Sequence, residues 1–168
     1  PGIFQPRVPK SHELRVTCIG HHLFVARLDS QALDATQVDW RPGSWVVDTQ
    51  VGELPAVLAD RCRALLDRLG LVFGCIDFIV TPAGEYVFLE INQMGQFLWL
   101  EQREPRLTML DAFCELLIQR RPDFVWQPDR VQVRLADVVD VEADQATDAL
   151  HVRAPMSHRM TDAWAEAG

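Results

Sequence analysis

The chain lacks any run approaching the ~18 consecutive apolar residues that a membrane helix needs. It also lacks a basic segment leading into an apolar one, so no secretory signal is read and no membrane partner is expected. A basic excess is absent too: 16 Lys and Arg stand against 24 Asp and Glu, a formal net charge of -8, and a nucleic-acid partner is not expected. No CxxC pair occurs among Cys18, Cys62, Cys75 and Cys114, which argues against zinc. Four scattered cysteines read as free, mostly buried thiols of a reducing compartment, the cytoplasm. An initiating Met is missing as well. Pro1-Gly2 leads straight into Ile3-Phe4, which reads as the inside of a strand, so the sequence is expected to begin within a domain. What is present is ordinary: 168 residues, 48% hydrophobic and 24% charged, enough for one domain with a real core.

Residues 13–19 alternate in facing, Gly20-His21-His22 follows, and 23–28 reads as a second strand, so a hairpin is expected. His21 and His22 have no Cys or carboxylate companions and read as an exposed turn. Residues 29–52 read as loop with a short strand at 44–47. A helix is expected over 55–69: Pro55 suits its first turn, Leu58, Cys62, Leu65, Leu66 and Leu69 form one apolar stripe, and Gly70 caps it. Strands at 72–81 and 86–92 flank the turn Pro82-Ala83-Gly84-Glu85. A loop over 92–105 and a helix over 107–120 follow. The apolar face expected on that helix is Leu110, Phe113, Cys114 and Leu117, and Pro122 stops it. Beyond it, 130–135 is a candidate strand, 137–148 is acidic, and 154–168 reads as a tail. The expected organisation is one lobe over 1–121 and a partly irregular extension over 122–168. The fold class is α+β, a mainly antiparallel sheet with two helices packed on one side and an open cleft on the other.

The chemistry sits on the strand pair. If residues 82–85 form the turn, Thr81 opposes Tyr86 and Asp77 opposes Glu90, so both acids share a face with Asn92 and with Phe88 before them. Leu89 and Ile91 would face the core. Two carboxylates opposed in apolar strands repel and must be compensated. A raised pKa, a Lys or Arg, or a divalent cation would each do so. Mg²⁺ suits the set, because it binds one or two carboxylates and completes its shell with water and substrate phosphates. A structural acid network and a slipped register remain the other readings.

The Asp77…Glu90-Ile91-Asn92 pattern resembles the metal signature of the ATP-grasp superfamily. Phe4-Gln5-Pro6-Arg7-Val8-Pro9-Lys10-Ser11-His12-Glu13-Leu14-Arg15 looks like its hinge and the following strand, and Asp39-Trp40-Arg41 like its phosphate-side loop. Val8-Pro9-Lys10-Ser11-His12-Glu13-Leu14-Arg15, Asp29-Ser30-Gln31 and the block from Phe88 to Glu101 are most similar to ATP-grasp maturases of ribosomal peptides, the microviridin or graspetide type. The resemblance covers roughly residues 3–120 and implies the C-terminal half of an ATP-grasp fold.

That resemblance implies roles. Pro6 and Arg7 would line the adenine pocket through backbone groups. Pro6 is a departure, since an acid is common there and Pro has no N–H to give. Glu13 would accept from the ribose hydroxyls. Arg41 would neutralise phosphate oxygens or an acyl-phosphate, with Arg15 a weaker candidate for that task. Asp77, Glu90 and Asn92 would hold Mg²⁺, two ions with Glu90 bridging them. ATP would phosphorylate a carboxylate, and a hydroxyl or amine would displace phosphate to form an ester or amide. The upstream lobe, with its Lys and mobile loop, would be needed to clamp ATP, so this stretch alone is expected to be inactive. A homodimer is left open. Another ATP-grasp reaction, such as adding amino acids to a protein tail, and a non-catalytic nucleotide- or peptide-binding domain are the alternatives. The loop from Asn92 to Glu101 holds Gln93, Gln96 and Glu101 beside Met94, Phe97, Leu98 and Trp99, with no Arg or Lys between Val87 and Gln102. It suits a precursor peptide better than a free amino acid. The competing reading is that the loop, with Trp40 and Trp99, merely packs.

Overall fold

Strand alternation at both ends of the first helix builds a single sheet. The computed structural model describes residues 6–41 and 46–138. β1 (His12–Ile19) and β2 (His22–Leu28) form the expected hairpin, and β3 (Thr49–Val51) pairs with Ala26–Leu28. Helix α1 (Ala56–Leu69) leads into β4 (Phe73–Val80) and β5 (Tyr86–Asn92). Helices α2 (Leu98–Arg103), α3 (Met109–Gln119) and α4 (Leu135–Val138) follow. The five strands run in the order β3-β2-β1-β4-β5, and every neighbouring pair is antiparallel. The α+β class and the antiparallel sheet expected from sequence are both present.

Helix placement differs from the expectation of two helices on one side. Cys62 and Leu66 of α1 pack on Leu14, Val16, Cys18, Ile76, Phe78 and Val80. On the opposite face Leu100 of α2 and Met109, Ala112 and Leu116 of α3 pack on Ile19, Phe24, Ala26, Leu28 and Cys75. The reason lies in the central strands: β1 is buried from Glu13 to Ile19 on both faces, and such a strand needs a helical cover on each. Asp77 therefore shares its face with α2 and α3.

Smaller departures have local causes. The short strand expected at 44–47 does not form at Val46 and Val47, and its Ser44 and Trp45 lie outside the described residues. The α3 stripe is rotated by one position: Met109, Ala112 and Leu116 are buried while Leu117 and Ile118 are exposed, because the Phe113 ring turns to meet Phe73 and Phe97. Leu69 is likewise exposed. Residues 130–135 form no strand; a 3-10 turn (Pro128–Arg130) leads to α4. Phe124 and Leu135 complete the core beneath α3, with Trp126 against its edge. Buried carboxylates tie this segment down. Asp111 accepts from Trp126 Nε1 (2.8 Å) and the Gln132 and Val133 N–H groups (2.9 and 3.0 Å). All described residues belong to one unit, Pro1–Val138; the rest of the acidic run and the tail lie outside them.

Candidate nucleotide and metal site

Asp77 opposes Glu90, as the sequence expects, but by a different route. Tyr86 pairs with Val80, not Thr81, so the ladder starts one residue out of step, and an extra residue between Phe78↔Phe88 and Asp77↔Glu90 restores it. Leu89 is that bulge. A bulge reorients the side chains beside it. Phe88 meets Phe78 edge-on at 6.0 Å, and Phe78 belongs to the α1-side core, so Phe88 does not precede Glu90 on the acid face. Leu89, expected in the core, instead borders the pocket of Glu13, Asp77 and Glu90. Ile91 does reach the core.

Three ion pairs organise the acid face. Arg15 donates through Nη1 to both oxygens of Asp77, at 3.0 and 2.9 Å, with both side chains buried. Burial pushes the Asp77 pKa above the ordinary carboxylate range; Arg15 opposes that rise and nearby Glu90 adds to it. Arg41 donates through Nη2 to Glu90 at 3.0 Å, and this pair is solvent-facing. Lys10 bonds Glu13 at 2.6 Å and the Val38 carbonyl at 3.2 Å. Asn92 lies two pairs beyond Glu90, opposite Cys75, and its Oδ1 accepts from the Met94 N–H at 2.9 Å. The fold thus brings Arg15, Arg41, Asp77, Glu90 and Asn92 around one pocket region.

A wider cleft of about 960 Å³ opens along the same side of the sheet. Pro6, Arg7 and Lys10 form one wall, Gln31, Gln37 and Val38 another, and Ile79 with Val87–Leu89 the sheet side. Its mixed lining, apolar with a few amides and cations, is of the kind that accepts a flat heteroaromatic ring. Glu13 lies between this cleft and the acid pair.

Among the described residues no group of three or more His, Cys, Asp and Glu side chains is placed to hold an ion. The set here is two carboxylates and an amide, short of a closed cage. That donor set fits Mg²⁺ with water and phosphate completing the shell, and it fits neither zinc nor a structural calcium. Cys18, Cys62 and Cys75 are buried, and burial pushes their thiols up, so they stay protonated and take no part.

The loop after Asn92 divides. Gln93, Met94 and Gln96 are exposed, Met94 at 85%. Phe97 and Leu100 are core residues. Glu101, grouped by the sequence with the peptide-facing side chains, turns inward and accepts from the Leu110 and Leu135 N–H groups at 2.7 and 2.8 Å, tying down the starts of α3 and α4. Gly95 and Gln96 both have positive φ, 75° and 54°. A Cβ on Gly95 would lie 2.5 Å from the Phe73 ring, which fixes that residue as glycine. Arg15 Nη2 donates to the Gly95 carbonyl, and Trp99 Nε1 to the Gln96 carbonyl at 2.9 Å. Local pattern carries no signal for the Arg15 half of this clasp, since it joins residues eighty positions apart.

No family model matches the chain, and no curated protein matches it. Solved structures do. A Chryseobacterium gregarium RiPP-associated ATP-grasp ligase in complex with ADP and a leader and core peptide is 31% identical, with a TM-score of 0.64, over 75% of this chain and 37% of its own. The macrocyclase MdnC of Microcystis aeruginosa MRC, bound with precursor peptide MdnA, is 39% identical with a TM-score of 0.57, over 67% of this chain and 34% of its own. The macrocyclase MdnB of the same organism is 36% identical with a TM-score of 0.56, over 68% and 40%. The chain therefore spans between 34% and 40% of the length of these three structures. Over that shared part, the chain is similar in sequence and in fold to ATP-grasp ligases of the branch associated with ribosomal precursor peptides.

Proposed function

We propose that the protein carrying this chain is an ATP-dependent ligase that activates a side-chain carboxylate of a ribosomal precursor peptide and joins it to a hydroxyl or amine of the same peptide. The observation that carries this reading is the Asp77–Glu90 pair, held in register by the Leu89 bulge beside a cleft walled by Pro6 to Lys10. Similarity to a ligase whose structure holds ADP and peptide, and to a macrocyclase bound with precursor peptide, supports it. Pro6 and Arg7 would present backbone groups to the adenine, the Pro6 carbonyl accepting from the ring amine and Arg7 donating. Glu13, steadied by Lys10, would accept from the ribose. Asp77, Glu90 and Asn92 would hold Mg²⁺, two ions with Glu90 between them; the metal supplies charge neutralisation on the phosphates. Arg41, exposed beside Glu90, can swing to a phosphate or acyl-phosphate oxygen. Arg15 is already committed to Asp77 and to the Gly95 carbonyl, so its task is to keep Asp77 in place. Gln93, Met94 and Gln96 would border the peptide. The second lobe that ATP-grasp enzymes close over ATP is a required partner, and four free thiols fit a cytoplasmic setting.

Mass spectrometry of the intact enzyme with ATP, Mg²⁺ and candidate precursor peptides tests this reading. The expected result is loss of one water per bond formed. Modification of free amino acids with no peptide dehydration would defeat it.

A further inference from the structure

Trp40 is buried although it sits between two exposed residues, Asp39 and Arg41. Its ring stacks on Trp99 of α2, centroids 4.9 Å apart and planes inclined by 27°. The Arg15 guanidinium lies 5.9 Å from the Trp40 ring. Through Arg15 the stack is connected to Asp77 and to the Gly95 carbonyl, and through Trp99 Nε1 to the Gln96 carbonyl. These contacts tie the loop bearing Arg41 to the strand bearing Asp77. They also enclose a pocket of about 420 Å³, with Glu90 and Asn92 on one side, Arg15 and Arg41 as its cations, and the two indoles as its apolar wall. Arg15 Nε is buried with no hydrogen-bond partner.

We propose that the Trp40–Trp99 stack positions Arg41 and shields the activated carboxylate from water. This inference rests on the function proposed above. In that reaction the γ-phosphoryl group passes to a carboxylate oxygen and ADP leaves. The peptide hydroxyl or amine then adds to the acyl carbon, its proton goes to solvent, and the bond from that carbon to the phosphate oxygen breaks. If water adds instead, the carboxylate returns, phosphate leaves, and one ATP is spent for nothing. Indole faces offer water no hydrogen-bond partner, and an Arg anchored through its neighbouring ring need not search for its position.

The test measures phosphate released per water lost from the peptide, in the intact enzyme with ATP, Mg²⁺ and precursor peptide. Wild-type protein should release about one phosphate per bond, since each ligation consumes one ATP. Trp99→Leu keeps an apolar side chain without stacking, and in it the ratio should rise at least about tenfold, because small misplacements of reacting groups are costly. Trp99→Phe should return it to near the wild-type value. A purely structural role would lower phosphate release and bond formation together, leaving the ratio where it was. An unchanged ratio in Trp99→Leu and in Trp40→Leu overturns the shielding wall alone. A wild-type enzyme that dehydrates no peptide overturns the function and the wall with it.

Discussion

Replacing Arg15 by Met keeps the aliphatic stem and removes the charge that faces Asp77. Both side chains of the pair are buried, at 6% and 11% exposure, so water cannot take over the role of the guanidinium. Asp77 then has one escape, protonation. From an ordinary carboxylate value near 3.9, holding the proton at pH 7 costs about 4 kcal/mol, at 1.36 kcal/mol per unit. That agrees with the roughly 3–5 kcal/mol lost when one partner of a buried pair is removed. Loss of the hydrogen bond to the Gly95 carbonyl adds about 1 kcal/mol at any pH. Burial already raises the Asp77 pKa with Arg15 opposing it, and removing Arg15 raises it further. A carboxyl whose folded pKa stands above its unfolded one loses stability as pH rises, so the deficit must shrink on acidification. It should be about 4–5 kcal/mol at pH 7 and about 2–3 kcal/mol at pH 5. Equilibrium urea unfolding followed by circular dichroism, at pH 5, 6 and 7, measures it. The double variant Arg15→Met/Asp77→Asn should lose only about 1–2 kcal/mol, with no pH dependence. A single-variant deficit that does not change with pH, or one under about 1 kcal/mol, would refute the dependence of Asp77 on Arg15.

Three further outcomes follow from particular contacts. Glu101→Ala leaves the Leu110 and Leu135 N–H groups without their acceptor and should cost about 2–4 kcal/mol, read by chemical denaturation. Burial alone would raise the Asp111 pKa, but the Gln132 and Val133 N–H groups, the Trp126 indole and the Arg134 charge hold it below the ordinary value. Its stabilisation is therefore present above about pH 4 and lost as pH falls through the depressed pKa. Asp111→Asn should be less stable by about 1–2 kcal/mol at neutral pH and should match wild type in strong acid. Deleting Leu89 should leave Asp77 opposite Glu90 in an unbroken ladder, with the fold intact by circular dichroism. It removes part of the cleft wall, worth about 1–2 kcal/mol of apolar contact, so ADP should bind roughly tenfold more weakly by calorimetry.

The acid pairing was legible because a strand's period of two and one turn fix which residues oppose. The bulge was not, because two errors of one residue, at the turn and at Leu89, cancel before Asp77. Hairpin, first helix and strand pair were likewise readable from alternation, Pro55 and Gly70. The side of the sheet taken by each helix was not, because a strand buried on both faces says only that both are covered. The α3 stripe slipped because Leu110, Phe113 and Leu117 fit the helical period as well as Met109, Ala112 and Leu116; the Phe73 and Phe97 rings decide between them. The Trp40–Trp99 stack and the inward turn of Glu101 depend on contacts across long stretches of chain, which local pattern does not encode.

Mg²⁺-dependent ADP binding, compared by calorimetry between the intact protein and its Glu90→Gln variant, tests the central claim most directly. The substitution removes one charge at nearly constant volume, at an exposed position where the fold does not depend on it. Wild-type protein should bind ADP more tightly with Mg²⁺ than without. The variant should keep the metal-free affinity and lose most of the gain from Mg²⁺. A variant with the full wild-type response to Mg²⁺ would contradict the assignment of Glu90 as a metal ligand, and with it the reading of the Asp77–Glu90 pair as the heart of the site.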